Sequence, residues 1–401
     1  MTLPLLLALV GGLAVAVGLV SRPMRDMPVT EPLLALALGA AVGPGGLGWV
    51  TLDEAIGPEA IRISAELAVA MAVLAVALRH PPHEFRRELR ALALLLVVGM
   101  AGMAMAASAI GWLTLGLAPA AAALLGAIAT PTDPVLASNI IEGEPAERQL
   151  PQRVRLLVSV ESGANDGLAA PMIALAAASA GAVAAEAADA AASLLIAVVV
   201  GGAAGWLTGR LLLWSERHRD LEQSAFLALT LALTITVLGA TTLAGGVGVL
   251  GVFVAGLVYS AQIAQSDRVA EWEVQEAINR YLVLPVFVLL GVIAPWSAWA
   301  DLGWAGAWFV VGILVLRRLP LLLVLGPWLR LRPAEAGFVG WFGPVGVAAL
   351  LYLAERHAAG DADETMWAAG TLLVAVSTVV HGVTAAPGRG LLARRLARGS
   401  S

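Results

Sequence analysis

Apolar residues fill this chain in long blocks, and short polar segments between them hold most of the charge. Thirteen blocks reach or approach the length that crosses a bilayer, about 20 residues for some 30 Å of hydrocarbon. They run over residues 3–20, 29–48, 60–78, 91–115, 119–141, 153–179, 190–213, 224–243, 245–264, 279–294, 302–325, 335–355 and 365–386. These lengths suit helices; membrane strands would be about ten residues long with alternating polarity. The pattern predicts an all-α polytopic membrane protein of about 13 transmembrane helices. No long polar stretch flanks the spans, so residues 1–401 are expected to form a single transmembrane domain without a cytoplasmic regulatory domain.

Composition agrees with this picture. The chain is 59% hydrophobic and only 13% charged, whereas a soluble domain is about a quarter charged. The N-terminus lacks a positive stretch before its first apolar block, so that block reads as a span and not as a cleaved signal. The chain has no cysteine, which excludes disulfides, thiolate metal sites and cysteine nucleophiles. All 24 basic residues are arginine, which removes the P-loop lysine and Schiff-base chemistry. The five histidines have no metal-ligand spacing, so neither a metal nor another cofactor is expected.

The arginines are sorted by side. Arg22, Arg25, Arg79, Arg86, Arg87, Arg90, Arg148, Arg153 and Arg155 follow odd-numbered spans, as do Arg210, Arg217, Arg219, Arg268, Arg280, Arg330 and Arg332. Arg389, Arg394, Arg395 and Arg398 close the chain, making twenty on one side. The intervening loops carry only Arg62 and Arg356, among acids such as Asp53, Glu54, Glu186, Asp189, Asp361, Asp363 and Glu364. By the positive-inside rule the N-terminus lies outside and the C-terminus in the cytoplasm, which requires an odd number of spans.

Small residues within the spans suit close packing in lipid. Gly39 with Gly43, and Gly201 with Gly205 and Gly209, repeat at GxxxG spacing, and helix packing is their expected role. Two spans carry something more. Span five contains Ala129-Thr130-Pro131-Thr132-Asp133-Pro134, and span twelve contains Trp341-Phe342-Gly343-Pro344-Val345-Gly346. Proline and glycine at mid-membrane delete helix hydrogen bonds and free backbone groups. The breaks lie seven spans apart, an odd offset, so spans 1–6 and 8–13 read as two inverted six-helix repeats with broken crossing helices in spans 5 and 12. Paired breaks at matching places in inverted halves point to a transporter's binding site.

Charges at membrane depth are costly and therefore informative. They are Asp133 in span five, Glu161 and Asp166 in span six, and Arg317 with Arg318 in span eleven. Residues four apart share a helix face, so Ser162 and Asp166 form one stripe and Glu161 with Asn165 a second. Asp133, and the carbonyls freed around Thr132, add oxygens from the facing span. An all-oxygen site without His or Cys suits a hard monovalent cation. A partly desolvated carboxylate there would take either a proton or the cation, the minimum requirement for exchange. Asp133 has a structural alternative as a helix cap, and Glu161 has one as the partner of an arginine in span eleven.

Thr132-Asp133-Pro134 followed by Glu161-Ser162-x-x-Asn165-Asp166 resembles the NhaP-type sodium/proton antiporters of the monovalent cation/proton antiporter superfamily. Arg317-Arg318-Leu319-Pro320, Trp341-Phe342-Gly343-Pro344 and Val380-His381-Gly382 are lesser matches, and the resemblance covers the whole chain. It implies a non-enzymatic secondary antiporter exchanging Na⁺ or Li⁺, or K⁺, for protons. Asp166 would be the principal ion- and proton-binding carboxylate, assisted by Asp133, Ser162 and Thr132. Glu161 would pair with Arg317, or else with its neighbour Arg318, near Asn165, to hold the frame together. The Asn165-Asp166 pair resembles the electroneutral, one-for-one branch. The resemblance further implies a homodimer with an elevator-like core of spans 3–6 and 10–13, a scaffold of spans 1–2 and 7–9, a bacterial or archaeal cell membrane and a role in pH homeostasis.

Two positions depart from the family pattern. Val345 stands where arginine is frequent, and Val76 lies near a frequent acid, for which Glu66 is a distant substitute. His381 reads as a hydrogen-bonded packing residue. A cation channel or another solute carrier on the same scaffold is the alternative, and an intramembrane aspartyl enzyme is the least favoured reading.

Overall fold

Leucine, alanine and valine blocks in this chain have no lipid-compatible conformation except one that satisfies every backbone group internally, and helix dominates accordingly. The computed structural model describes residues 2–24, 29–52, 56–80, 82–178, 182–218 and 223–398, and those described residues contain no strand. The helices are α1 (Thr2–Met24), α2 (Glu31–Val42), α3 (Ile56–Arg79), α4 (Pro82–Ala93), α5 (Met100–Leu115), α6 (Pro119–Ile128), α7 (Pro134–Ile141), α8 (Gly143–Gln149) and α9 (Gln152–Ala177). They continue with α10 (Val183–His218), α11 (Gln223–Leu243), α12 (Gly248–Ser260), α13 (Gln265–Val292), α14 (Trp296–Leu316), α15 (Leu319–Leu325), α16 (Pro333–Trp341), α17 (Val347–Ala358) and α18 (Glu364–Arg398). A π-helical turn, Leu94–Gly99, joins α4 to α5. Of the charges used above to orient the chain, Arg25, Asp53, Glu54 and Arg219 lie outside the described residues.

Among the described residues six helical stretches are long and apolar enough to cross a membrane, one of them running through α4 and α5 and one through α14 and α15. Several expected spans are interrupted. Span five divides into α6 and α7, span twelve into α16 and α17, and span eleven into α14 and α15 at Arg317-Arg318. The last break carries no glycine; Pro320, the second residue of α15, is its local mark.

Helix packing is closest where side chains are smallest. Gly39 and Gly43 of α2 lie against the α13 backbone at Val288 and Val292, leaving no room for a Cβ. Gly201 and Gly205 of α10 meet Gly251 and Ala255 of α12 in the same way. The packing role expected of these GxxxG repeats is what the structure shows. At the centre stands α9, buried on every side from Leu156 to Gly167. A helix enclosed all round can present polar groups only to other protein.

At the arginine-rich end, Arg79 ties four elements together. Its guanidinium contacts Glu142 at 2.5 Å and Glu276 at 3.1 Å, donates to Ser159 Oγ at 3.1 Å and lies 5.4 Å from the Trp272 ring. Burial pushes the Glu142 carboxyl up to about 8; Arg79 and Arg280 oppose the shift and Glu276 adds to it. The folded chain therefore holds a proton that the unfolded chain releases near 4.5. This contribution to stability is full below that value and is lost as pH rises through about 8. The melting temperature of purified protein should fall between pH 5 and pH 9, and Glu142→Gln should flatten that slope. An unchanged slope in the variant would assign the dependence to other groups.

Candidate functional site

Residues 129–133 and 342–346 leave the helical path, as their prolines and glycines require. The two breaks cross one another. Asp133 N donates to Pro344 O at 2.9 Å, and Val347 N donates to Asp133 Oδ2. Asp133 Oδ1 accepts from Val135 N at 2.7 Å and Leu136 N at 2.9 Å. One carboxylate thus caps the N-termini of both second half-helices, α7 and α17, where unpaired N–H groups and the positive dipole ends converge. Gly346 is required here, because any Cβ would strike the Asp133 carboxylate.

The opposite half-helix ends expose carbonyls, and Arg317 covers them. Its guanidinium donates to Ala129 O, Thr130 O and Gly343 O, joining the C-terminal ends of α6 and α16. Negative helix ends attract a cation, so the crossing is closed by Asp133 on one side and Arg317 on the other. Of the two arginines expected as partners of Glu161, Arg317, the first choice, is therefore not the one that pairs. Glu161 pairs with Arg318, Oε1 to Nη1 and Oε2 to Nη2, the latter at 2.6 Å, in a bidentate fork. Both side chains are buried. Arg318 Nε also donates to Val339 O at 2.9 Å. The break between α14 and α15 sends two adjacent arginines to different targets, and side-chain type could not distinguish them.

Asn165 is likewise reassigned. Its Nδ2 donates to Thr132 Oγ1 at 2.9 Å and its Oδ1 accepts from Thr132 N at 3.2 Å. It fastens α9 to the first break and does not join the Glu161 pair. Thr132 Oγ1 and Ser162 Oγ lie 2.9 Å apart, so the structure brings Thr132, Ser162 and Asn165 into one buried patch.

Asp166, one turn beyond Ser162, is fully buried, and neither carboxylate oxygen makes a hydrogen bond. Asp133 is near enough to act on it electrostatically. A buried carboxylate without a partner is tolerable in two forms, protonated or holding a cation. No group of three or more His, Cys, Asp or Glu suited to a metal occurs among the described residues.

The remaining expected positions sort clearly. Val345 N donates to Ser377 Oγ at 2.9 Å, and Val76 packs against Gly163 of α9, next to Ser162. Glu66 lies ten residues earlier in α3, about 15 Å along the helix, and pairs with Arg62 at 3.3 Å. It cannot replace an acid at Val76. His381 is a packing histidine: its ring nitrogens lie 2.9 Å from Ser377 O and 3.0 Å from Trp341 O. Sequence reasoning missed Tyr352, whose hydroxyl donates to the main-chain oxygen of Asp166 at 2.5 Å. Its only signal was a polar tip within the apolar run Val347–Ala354 that opens α17.

The sequence model for the transmembrane sodium/hydrogen exchangers matches residues 5–388. The chain belongs to this family. The chain is 28% identical over 343 residues to a Na⁺/H⁺ antiporter 2 of Zygosaccharomyces rouxii, covering 81% of this chain and 42% of that protein. It is 27% identical over 407 residues to a Na⁺/H⁺ antiporter of Schizosaccharomyces pombe, covering 89% and 84%. A K⁺/H⁺ antiporter NhaP of Alkalimonas amylolytica is 27% identical over 360 residues, covering 88% and 61%. Several relatives are much longer, and this exchanger-family chain spans about two-fifths of their length. The fold superposes on the sodium proton antiporter MjNhaP1 of Methanocaldococcus jannaschii with a TM-score of 0.78, at 17% identity over 99% of both chains. The resemblance to NhaP-type exchangers is borne out.

Proposed function

We propose that this chain is a secondary antiporter that exchanges a monovalent cation for protons by alternating access at Asp166. The observation that carries this reading is a fully buried carboxylate with no hydrogen bond of its own. Ser162, one turn earlier on the same face of α9, and Thr132, whose Oγ1 lies 2.9 Å from Ser162 Oγ, offer neutral oxygens on that side of the helix. Proton and cation compete for that group, so each leaves as the other enters. Asp133 contributes through its position and charge, since its oxygens are held by three backbone N–H groups. The names of the relatives support Na⁺ or K⁺ as the cation class.

Asn165 is neutral and bound to Thr132, which supports exchange of one proton per cation without net charge. The arginine asymmetry supports an odd span count, thirteen by the apolar pattern, with the N-terminus outside. Two crossing breaks support inverted repeats. A homodimer, an elevator-like core of spans 3–6 and 10–13 against spans 1–2 and 7–9, a prokaryotic cell membrane and a role in pH homeostasis complete the proposal by family resemblance.

Purified protein in proteoliposomes, given Na⁺, Li⁺ and K⁺ separately, should move protons with at least one of them. The rate should not change when the membrane potential is clamped. Absence of flux with all three cations would overturn the function, and a steep response to potential would overturn the one-for-one ratio.

A further inference from the structure

Tyr352 stands between Asp166 and a separate cavity. The cavity has a volume of about 210 Å³, and its lining includes Glu66, Ala170, Ser193, Tyr352 and Glu355 together with residues 245–249. Those elements place it toward the end where α10 begins and α17 finishes, the arginine-poor end of the bundle. Ala170 is four residues on from Asp166, one turn along the same face of α9. The cavity therefore reaches the Asp166 stripe one turn short of the carboxylate. Tyr352 touches both: it lines the cavity, is 5% exposed, and its hydroxyl is fixed to the Asp166 main-chain oxygen.

We propose that Tyr352 is the gate between Asp166 and this cavity, and that the cavity is the vestibule through which ions reach and leave the site from the arginine-poor face. The proposal rests on the reading of Asp166 as the exchange carboxylate. Arg62 is shared between Glu66 and Glu59, so with Glu355 the vestibule wall keeps a net negative charge that concentrates cations at the mouth. Tyr352 neither accepts the ion nor donates to the Asp166 carboxylate. It is a positioning residue whose hydrogen bond holds an aromatic ring across the route.

The chain has no cysteine, so a single thiol reports on access without further engineering. Asp166→Cys places that thiol behind the ring, and Ala170→Cys places one in the vestibule. Both are exposed to a cationic, membrane-impermeant methanethiosulfonate added to the arginine-poor side of oriented vesicles. In the Asp166→Cys background, Tyr352→Phe should speed modification about two- to tenfold, the range set by loss of one hydrogen bond. Tyr352→Ala should speed it further, while Ala170→Cys should react fast and equally in all three backgrounds. Equal rates at Asp166→Cys with tyrosine, phenylalanine and alanine would overturn the gate, and so would reaction from the arginine-rich side alone. Phenylalanine keeps the ring's volume, so the comparison survives if the alanine variant fails to fold.

Labelling needs no transport and stands even if Asp166 is not the exchange carboxylate. In the chain with Asp166 intact, Tyr352→Phe should change the apparent KM for the cation on the arginine-poor side and leave that on the other side unchanged. A purely structural tyrosine would shift both sides together.

Discussion

Replacing Asp166 with asparagine is expected to abolish cation-driven proton movement in everted vesicles while the protein stays folded. Asparagine has nearly the same shape, yet its amide neither releases a proton nor carries the negative charge that would hold a cation. The fold should tolerate it well. Both carboxylate oxygens lack hydrogen bonds in the wild-type chain, so the change breaks none. Removing an ionisable group from a dry site also removes a desolvation cost. The melting temperature in detergent should therefore stay close to that of the parent or rise. Full exchange activity in a folded Asp166→Asn protein would end the proposed mechanism, whichever cation is used.

Breaking the Glu161–Arg318 pair should have the largest effect on stability. Both partners are buried, and each removal strands the other charge inside the bundle. Such a loss costs about 3–5 kcal/mol. Glu161→Ala and Arg318→Ala should each lower the melting temperature and the yield sharply. The pair itself need not be worth that much: replacing both residues with apolar side chains of similar size should recover a large part of the loss. The double variant, Glu161→Met with Arg318→Leu, tests this directly. If it is no more stable than the single variants, Arg318 acts mainly through Val339 O and the surrounding packing. If Glu161→Ala loses transport without losing stability, Glu161 belongs to the ion site and not to its frame.

Arg317 and Arg318 illustrate how far the residues alone could be read. Two buried arginines beside one buried glutamate imply an ion pair, and the ion pair exists. Which arginine forms it depends on how the chain turns at the break between α14 and α15, where Pro320 marks a break but not the direction of either side chain. At that break Arg317 keeps α-helical backbone angles while Arg318 departs to φ −121°, so their side chains diverge. One reaches the carbonyl ends of α6 and α16, and the other reaches α9. Asn165 shows the same limit. Helical spacing put it on a stripe with Glu161, but its hydrogen bonds go to Thr132, a partner supplied by another segment of chain.

The sequence by itself determined that this chain lives in a membrane, because its charge is too sparse and its apolar blocks too long for water. It also located both helix breaks, because proline and glycine act on the backbone locally, and it singled out Asp166 as a charge with no evident partner. Only the tertiary structure decided that the two breaks cross and that Asp133 caps both N-terminal ends. The same holds for Arg317 at both C-terminal ends and for Tyr352 between Asp166 and a vestibule. Those are hydrogen bonds between segments 186 to 214 residues apart, and a backbone group records in its own sequence only that it is free, not which distant side chain will satisfy it.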